Sequence, residues 1–293
     1  MASLKKDLID LISADIDTFL SANRISKKAF RTFVGRCVHA ASLLIVWRPF
    51  VAMLWGALGG RDQQNGHLWT RQVAVPLRWL RCFIDGQAGT LRRHFLFDSY
   101  AGRDDEVALI LDASFWGLGG VLTLKGQLVS YFSDPITDDD CETLHIQRGS
   151  CRGQQACEAL SVLVALRLWS PIWSNRRVFL AVRSDTVAAI TLLVHCKATG
   201  PGCSLISREA ALDIAEGVYW PSVGTHLPGI SNVLADTLSR IAEPGAPQQL
   251  PACLTGVQRA VPEPRPRSWW RTLPSGPARV RAQADQGAKR QRE

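Results

Sequence analysis

The chain has no apolar run long enough to cross a bilayer. Its most apolar stretch is cut at Arg48-Pro49 into two uncharged runs, Cys37–Trp47 and Phe50–Gly60, of eleven residues each, where a span needs ~18. The opening Met1-Ala-Ser-Leu-Lys-Lys leads into an amphipathic acidic stretch, without the apolar centre and small-residue cleavage site of a signal peptide. None of the eight cysteines forms a C-x-x-C pair, which removes support from zinc-ribbon and thioredoxin readings. The expectation is an intracellular protein, cytoplasmic or nuclear, with reduced thiols mostly in its core and no membrane partner. Acidic residues are the scarcer charge: 26 Asp and Glu against 34 Lys and Arg leave +8. That surplus favours anionic partners, nucleic acid or an acidic membrane surface, and says nothing about fold. The 46% hydrophobic content over 293 residues excludes a wholly disordered chain and suffices for a sizeable core.

Residues 1–100 read as helical. Leu4, Leu8, Leu11, Ile12, Ile16, Phe19 and Leu20 recur at helical spacing. Further helices are expected over Lys27 to Ile45, Phe50 to Leu58 and Val75 to Ile84. Near residue 105 the pattern changes. Val107–Leu111 is a short continuous apolar run, as in a strand buried on both faces. Gly117 to Gly120 reads as a turn, and Val121–Leu124 and Gln127–Phe132 complete an antiparallel meander. A polar loop over 134–150 precedes a strong helix, Gln154 to Trp169. A strand (Val178–Val182), two helices (Thr186–Val194, Ser204–Glu216), a strand (Val218–His226) and a helix (Ser231–Ile241) follow. Residues 244–293 are rich in Pro, Gly, Gln and Arg and read as a disordered basic tail.

Four acids occupy telling places in this order. Asp112 and Asp185 end strands, Glu158 lies in the first turns of the long helix, and Asp236 sits on the last helix. If the two strands are parallel neighbours, Asp112 and Asp185 share the rim where sites of open α/β sheets collect. Clustered carboxylates raise one another's pKa. Divalent cations relieve that repulsion, and oxygen-rich sites suit Mg²⁺ or Mn²⁺.

Asp112-Ala-Ser, Gly117-Leu-Gly-Gly, Glu158-Ala-Leu, Arg183-Ser-Asp185 and His226-Leu-Pro-Gly-Ile-Ser-Asn-Val-Leu-Ala-Asp236-Thr-Leu-Ser-Arg240 together resemble the ribonuclease H domain of retrotransposon reverse transcriptases. The resemblance covers about residues 105–243. Residues 28–60 more weakly resemble the thumb or connection segment that precedes that domain. It implies an α/β fold, a ribonuclease H-like mixed sheet of about five strands, three antiparallel and then parallel, flanked by helices. A helical thumb- or connection-like segment, 1–100, would precede it, and the tail, 244–293, would follow. It further implies two Mg²⁺ ions, with Mn²⁺ as substitute, on Asp112, Glu158, Asp185 and Asp236. His226 would assist proton transfer or product release. Ser114, Arg183, Thr186, Asn232 and Arg240 would contact nucleic acid. The implied reaction is hydrolysis of the RNA strand of an RNA–DNA hybrid, and the implied partner is the polymerase portion of the same retroelement polyprotein. No Y-x-D-D motif is present, so polymerase activity is not expected. Alternative readings are an inactive nucleic-acid-binding remnant and another nuclease on the same fold.

Other clusters offer less. Asp138, Asp139, Asp140 and Glu142 lack the spacing and glycine of an EF-hand loop. His195-Cys196 with Cys203 lacks a fourth zinc ligand. Arg71, Arg78, Arg81, Arg92 and Arg93 lie among Trp69, Trp79, Phe83 and Phe95. That mixture fits either a nucleic-acid grip or an amphipathic helix with its aromatics turned inward.

Overall fold

A computed structural model describes residues 2–59, 66–93, 95, 107–173, 180–220, 223–247 and 249–273. The described residues belong to two compact units, Met1–Phe95 with Arg271–Glu293, and Leu96–Trp270. Each is taken by itself.

In the first unit, β1 (Ala2–Ser3) leads to α1 (Lys6–Ser21), β2 (Arg24–Ser26) to α2 (Lys27–Leu43), and a single 3-10 turn at Ile45–Trp47 to α3 (Arg48–Gly59). β3 (His67–Trp69) opens α4 (Thr70–Ile84), and β4 (Arg92–Arg93) pairs with β1. The α1 stripe buries Ile12, Ile16 and Phe19. Phe19 meets Phe30 and Phe33 of α2 with ring centroids 5.7 and 5.3 Å apart. Pro49 sits in the first turn of α3, where its missing N–H leaves no helical bond unmade. α4 starts five residues before the expected Val75, with Pro76 inside it. The three-residue strands β2 and β3 are too short to leave a periodic trace.

In the second unit, β5 (Val107–Ala113), β6 (Gly117–Leu124) and β7 (Gln127–Pro135) form the antiparallel meander. α5 (Asp138–Leu144) and α6 (Gln154–Leu168) lead to β8 (Leu180–Ser184). α7 (Val187–His195) and α8 (Pro201–Ala215) lead to β9 (Val223–His226), and α9 (Val233–Arg240) follows. β8 runs parallel to β5, and β9 parallel to β8. The result is a mixed α/β fold, three strands antiparallel and then two parallel, with helices packed on the sheet.

Three local expectations are corrected. Gly117–Gly120 lies within β6, not in a turn. Glycine is required there for close packing, because a Cβ on Gly119 would stand 2.3 Å from the carbonyl of Ala235 in α9. The loop over 134–150 contains α5, whose start is closed by a capping box between Thr137 and Asp140. The last strand covers Val223–His226 and residues 218–220 are not in it, while 221–222 of the expected range lie outside the described residues.

The tail also departs from expectation. A sixth strand, β10 (Gln258–Arg259), pairs parallel with β7 at the sheet edge. Leu254 packs in a core cluster with Val121, Tyr131 and Leu238. Trp269 lies over Arg167, with the guanidinium 4.3 Å from the ring. The composition average hid these few anchoring residues. Expected disorder over 274–293 and the expected boundary near 105 lie outside the described residues.

Arg265 is the strongest anchor. It is 3% exposed, and its guanidinium donates to both carboxylate oxygens of Asp140 at 2.9 and 2.8 Å, to Asp134 and to the carbonyl of Pro135. Removing one partner of a buried pair strands the other charge. Arg265→Met is expected to lower unfolding free energy by about 3–5 kcal/mol in urea titrations. The double variant Arg265→Met/Asp140→Asn should recover part of that loss.

Candidate active site

The site begins with strand register. Ile110 of β5 pairs with Arg183 of β8. Two residues onward on each chain come Asp112 and Asp185, level at the carboxyl-end rim. Parallel strands place them side by side only because the crossover through α5 and α6 returns the chain in the same direction. Glu158, in the second turn of α6, completes the group. One carboxylate oxygen from each of Asp112, Glu158 and Asp185 lies within 4.8 Å of the others.

The cluster is enclosed. Asp112 is 5% exposed and Glu158 4%. Burial, opposed by the Ser239 hydrogen bond, and then the charges of Asp185 and Asp236 push the Asp112 carboxyl up to about 6. Burial, then Asp112 and Asp185, push Glu158 up to about 9. Bonds from Gln154 and the Ala113 backbone oppose the second rise. Three carboxylates in this spacing fit one or more divalent cations bound through oxygen.

Neighbouring groups hold the carboxylates in place. The Ser239 hydroxyl donates to Asp112 Oδ2 at 2.7 Å. Gln154, one helical turn before Glu158, donates its Nε2–H to Glu158 Oε1 at 2.8 Å and to the Ala113 carbonyl. Sequence reasoning missed both residues. The signals were Ser239 within the quoted closing motif and Gln154 four residues ahead of Glu158. Asn232, 1% exposed, donates its Nδ2–H to the Leu111 carbonyl at 3.0 Å, and its own carbonyl accepts the Asp236 N–H. It therefore pins the start of α9 beside Asp112.

The remaining expected residues are placed as follows. Asp236 is near enough to raise the Asp112 pKa but is outside the 4.8 Å group. Its Oδ1 accepts from Arg240 Nε at 2.7 Å. Arg240 is exposed and also faces Glu243 at 3.8 Å. His226 ends β9, exposed and in register with Ser184, one strand over from Asp185 at the same rim. The following loop passes close to the cluster, since a Cβ on Gly229 would stand 3.4 Å from Asp185 Oδ2. Thr186 directs its hydroxyl to Asp185 Oδ1 at 3.3 Å. Arg183 is half-buried on β8. The Ser114 hydroxyl is buried; it accepts from Trp116 and Gly117 N–H and donates to the Ser239 carbonyl at 2.7 Å. Its bonds secure the turn and the end of α9.

The pKa directions give a stability test. Both carboxyls hold protons in the folded metal-free protein that the unfolded chain releases at its ordinary values of 3.8 and 4.5. Their contribution is full below those values and is lost as pH rises, through about 6 for Asp112 and about 9 for Glu158. In EDTA the melting temperature should fall between pH 5 and 9. Glu158→Gln should flatten that fall, and Mg²⁺ should stabilise the unmutated chain most at the alkaline end.

No protein-family model and no curated protein matches the chain. Two solved structures are similar to parts of it. Ribonuclease H1 from the halophilic archaeon Halobacterium salinarum NRC-1 is 18% identical with a TM-score of 0.34, over 46% of this chain and 94% of that one. A foamy viral protease–reverse transcriptase in complex with double-stranded DNA is 14% identical with a TM-score of 0.27, over 77% of this chain and 35% of that one.

Proposed function

We propose that the chain is a metal-dependent endonuclease that hydrolyses the RNA strand of RNA–DNA hybrids, as part of a retroelement reverse transcriptase. The observation that carries this reading is the convergence of Asp112, Glu158 and Asp185 at the rim of a mixed sheet. The closing motif from His226 to Arg240 supports it. Mg²⁺, or Mn²⁺ in its place, would acidify a water and neutralise charge on the scissile phosphodiester, two ions sharing that work.

The chain's own residues have distinct parts in this scheme. Asp112, Glu158 and Asp185 would hold the cation, and Asp236 would be a further carboxylate for it in place of its pairing with Arg240. Ser239 and Gln154 fix the carboxylate orientations. His226, exposed at the rim, is placed to carry a proton away or to ease product release. Arg183, Thr186 and Arg240 flank the cluster where a hybrid backbone would lie. Selectivity for RNA would come from 2′-hydroxyl contacts, with base sequence largely ignored. Residues 1–95 act in this proposal as a thumb- or connection-like segment that meets the polymerase portion. Among the described residues no helix is long and apolar enough to cross a membrane; we place the chain inside the cell, in cytoplasm or nucleus.

One observation favours a second reading, a binding remnant without turnover: Asp236 is already ion-paired with Arg240. The test is cleavage of an end-labelled hybrid in Mg²⁺ or Mn²⁺. Internal cuts in the RNA strand are expected, with Asp112→Asn reducing the rate at least ~10³-fold while the far-ultraviolet circular dichroism is kept. Equal cutting by Asp112→Asn would overturn the site assignment. Hybrid binding without cleavage in either metal would favour the remnant.

A further inference from the structure

The mixture of arginines and aromatics around α4 divides cleanly in the structure. Trp79 and Phe83 are buried, with Trp79 at 0% and Phe83 at 1% exposure. Trp69 is 44% exposed. It ends β3, where register sets it opposite Arg24 of β2. The Arg24 guanidinium lies 4.5 Å from the Trp69 ring centroid, and that of Arg71 lies 5.7 Å away. Both arginines are exposed, and among the described residues neither has a carboxylate partner.

The surroundings reinforce the charge. Between residues 18 and 84 the chain carries ten Lys and Arg and a single acid, Asp62. Exposed Lys28 and Arg31 stand on the first turns of α2, which continues directly from β2. Two of the four acids of α1 are engaged elsewhere: Asp15 with Arg36, and Asp17 with Arg81.

An arginine stacked on an aromatic face keeps its N–H edge free to donate, and its planar fork matches a phosphate. The ring restricts the side chain before any ligand arrives, so less entropy is lost on binding. Two such arginines on one ring form a pre-ordered pair of phosphate donors. A base cannot stack on the ring face that Arg24 covers, so recognition falls on the backbone.

The geometry points to a nucleic-acid backbone site on the β2–β3 ribbon, in which Arg24 and Arg71 take phosphates and Trp69 is the platform that positions them. This site makes no use of the carboxylate cluster. It predicts sequence-independent binding to hybrid and duplex alike.

The test uses the full chain carrying Asp112→Asn, in EDTA, with fluorescence anisotropy of a labelled RNA–DNA hybrid over a range of salt. Arg24→Gln/Arg71→Gln should weaken binding roughly tenfold and reduce the salt slope by about 2, one unit per lost phosphate contact. Trp69→Ala should weaken binding with the slope reduced less, and Trp69→Phe should restore most of it. Lys5→Gln/Lys6→Gln removes the same charge from exposed positions of this unit and should change little. Unchanged affinity and slope in the double-arginine variant, or an equal loss in the lysine control, would overturn the proposal. Thermal melts of each variant separate lost binding from lost folding. Failure of hybrid cleavage leaves this result standing, because no step of the assay needs metal or turnover.

Discussion

Three carboxylates within 4.8 Å of one another, two of them almost wholly buried, are an arrangement that a protein cannot satisfy with its own groups alone. At neutral pH the cluster must keep protons, take up a cation, or open. Without metal, Glu158, pushed up to about 9, keeps its proton at neutral pH, while Asp112, pushed up only to about 6, is largely ionised beside it. Much of the second unit serves to hold this unfavourable grouping. The β5–β8 register brings two acids level, α6 lowers the third onto them, and Asn232 and Ser239 tie α9 against the same strand end. Repulsion stored in a packed rim is what gives a divalent ion its differential affinity for the folded chain.

That packing depends on close approach. Gly119 faces Asp112 across the β5–β6 ladder, and α9 comes so near that any side chain there would strike its backbone. A wider spacing would carry Ser239 out of reach of Asp112. The same helix contributes Leu238 to a buried cluster with Val121, Tyr131 and Leu254. The tail residue Leu254 therefore supports the helix that supports the site. The link from the tail to the carboxylate rim is a chain of apolar contacts, and Arg265 ties the tail to Asp134 and Asp140 as well.

The sequence showed the strand and helix order of the second unit because buried runs such as Val107–Leu111 and the Gln154–Trp169 face are long and uniform. Asp112, Glu158 and Asp185 were legible as a group because each sits at a predictable end of a predictable element. Other features were not. The two- and three-residue strands have no periodicity to detect. Gly117–Gly120 read as a turn because glycine's freedom and glycine's smallness leave the same mark in a sequence. The tail read as disordered because an average over fifty residues dilutes Leu254, Arg265 and Trp269, which find partners as distant in the chain as Val121, Asp140 and Arg167. Ser239 and Gln154 were missed because their importance lies only in what they face.

Asp236 is the position at which geometry and expectation meet least closely, and its pairing explains why. A carboxylate at the start of a helix, four residues before an arginine, gains from its own helix whatever the rest of the site does. The pair is exposed, so it contributes little, on the order of 0.3–0.5 kcal/mol. Binding a divalent ion in place of a guanidinium offers far more. In the proposed scheme Arg240 would be a placeholder: it would keep the fourth carboxylate ordered and near Asp112 without competing seriously for it. Once displaced, Arg240 is an exposed cation on the site's rim, where a polyanionic substrate would approach. On that proposal the same weak pair would serve both the empty and the engaged states of the site.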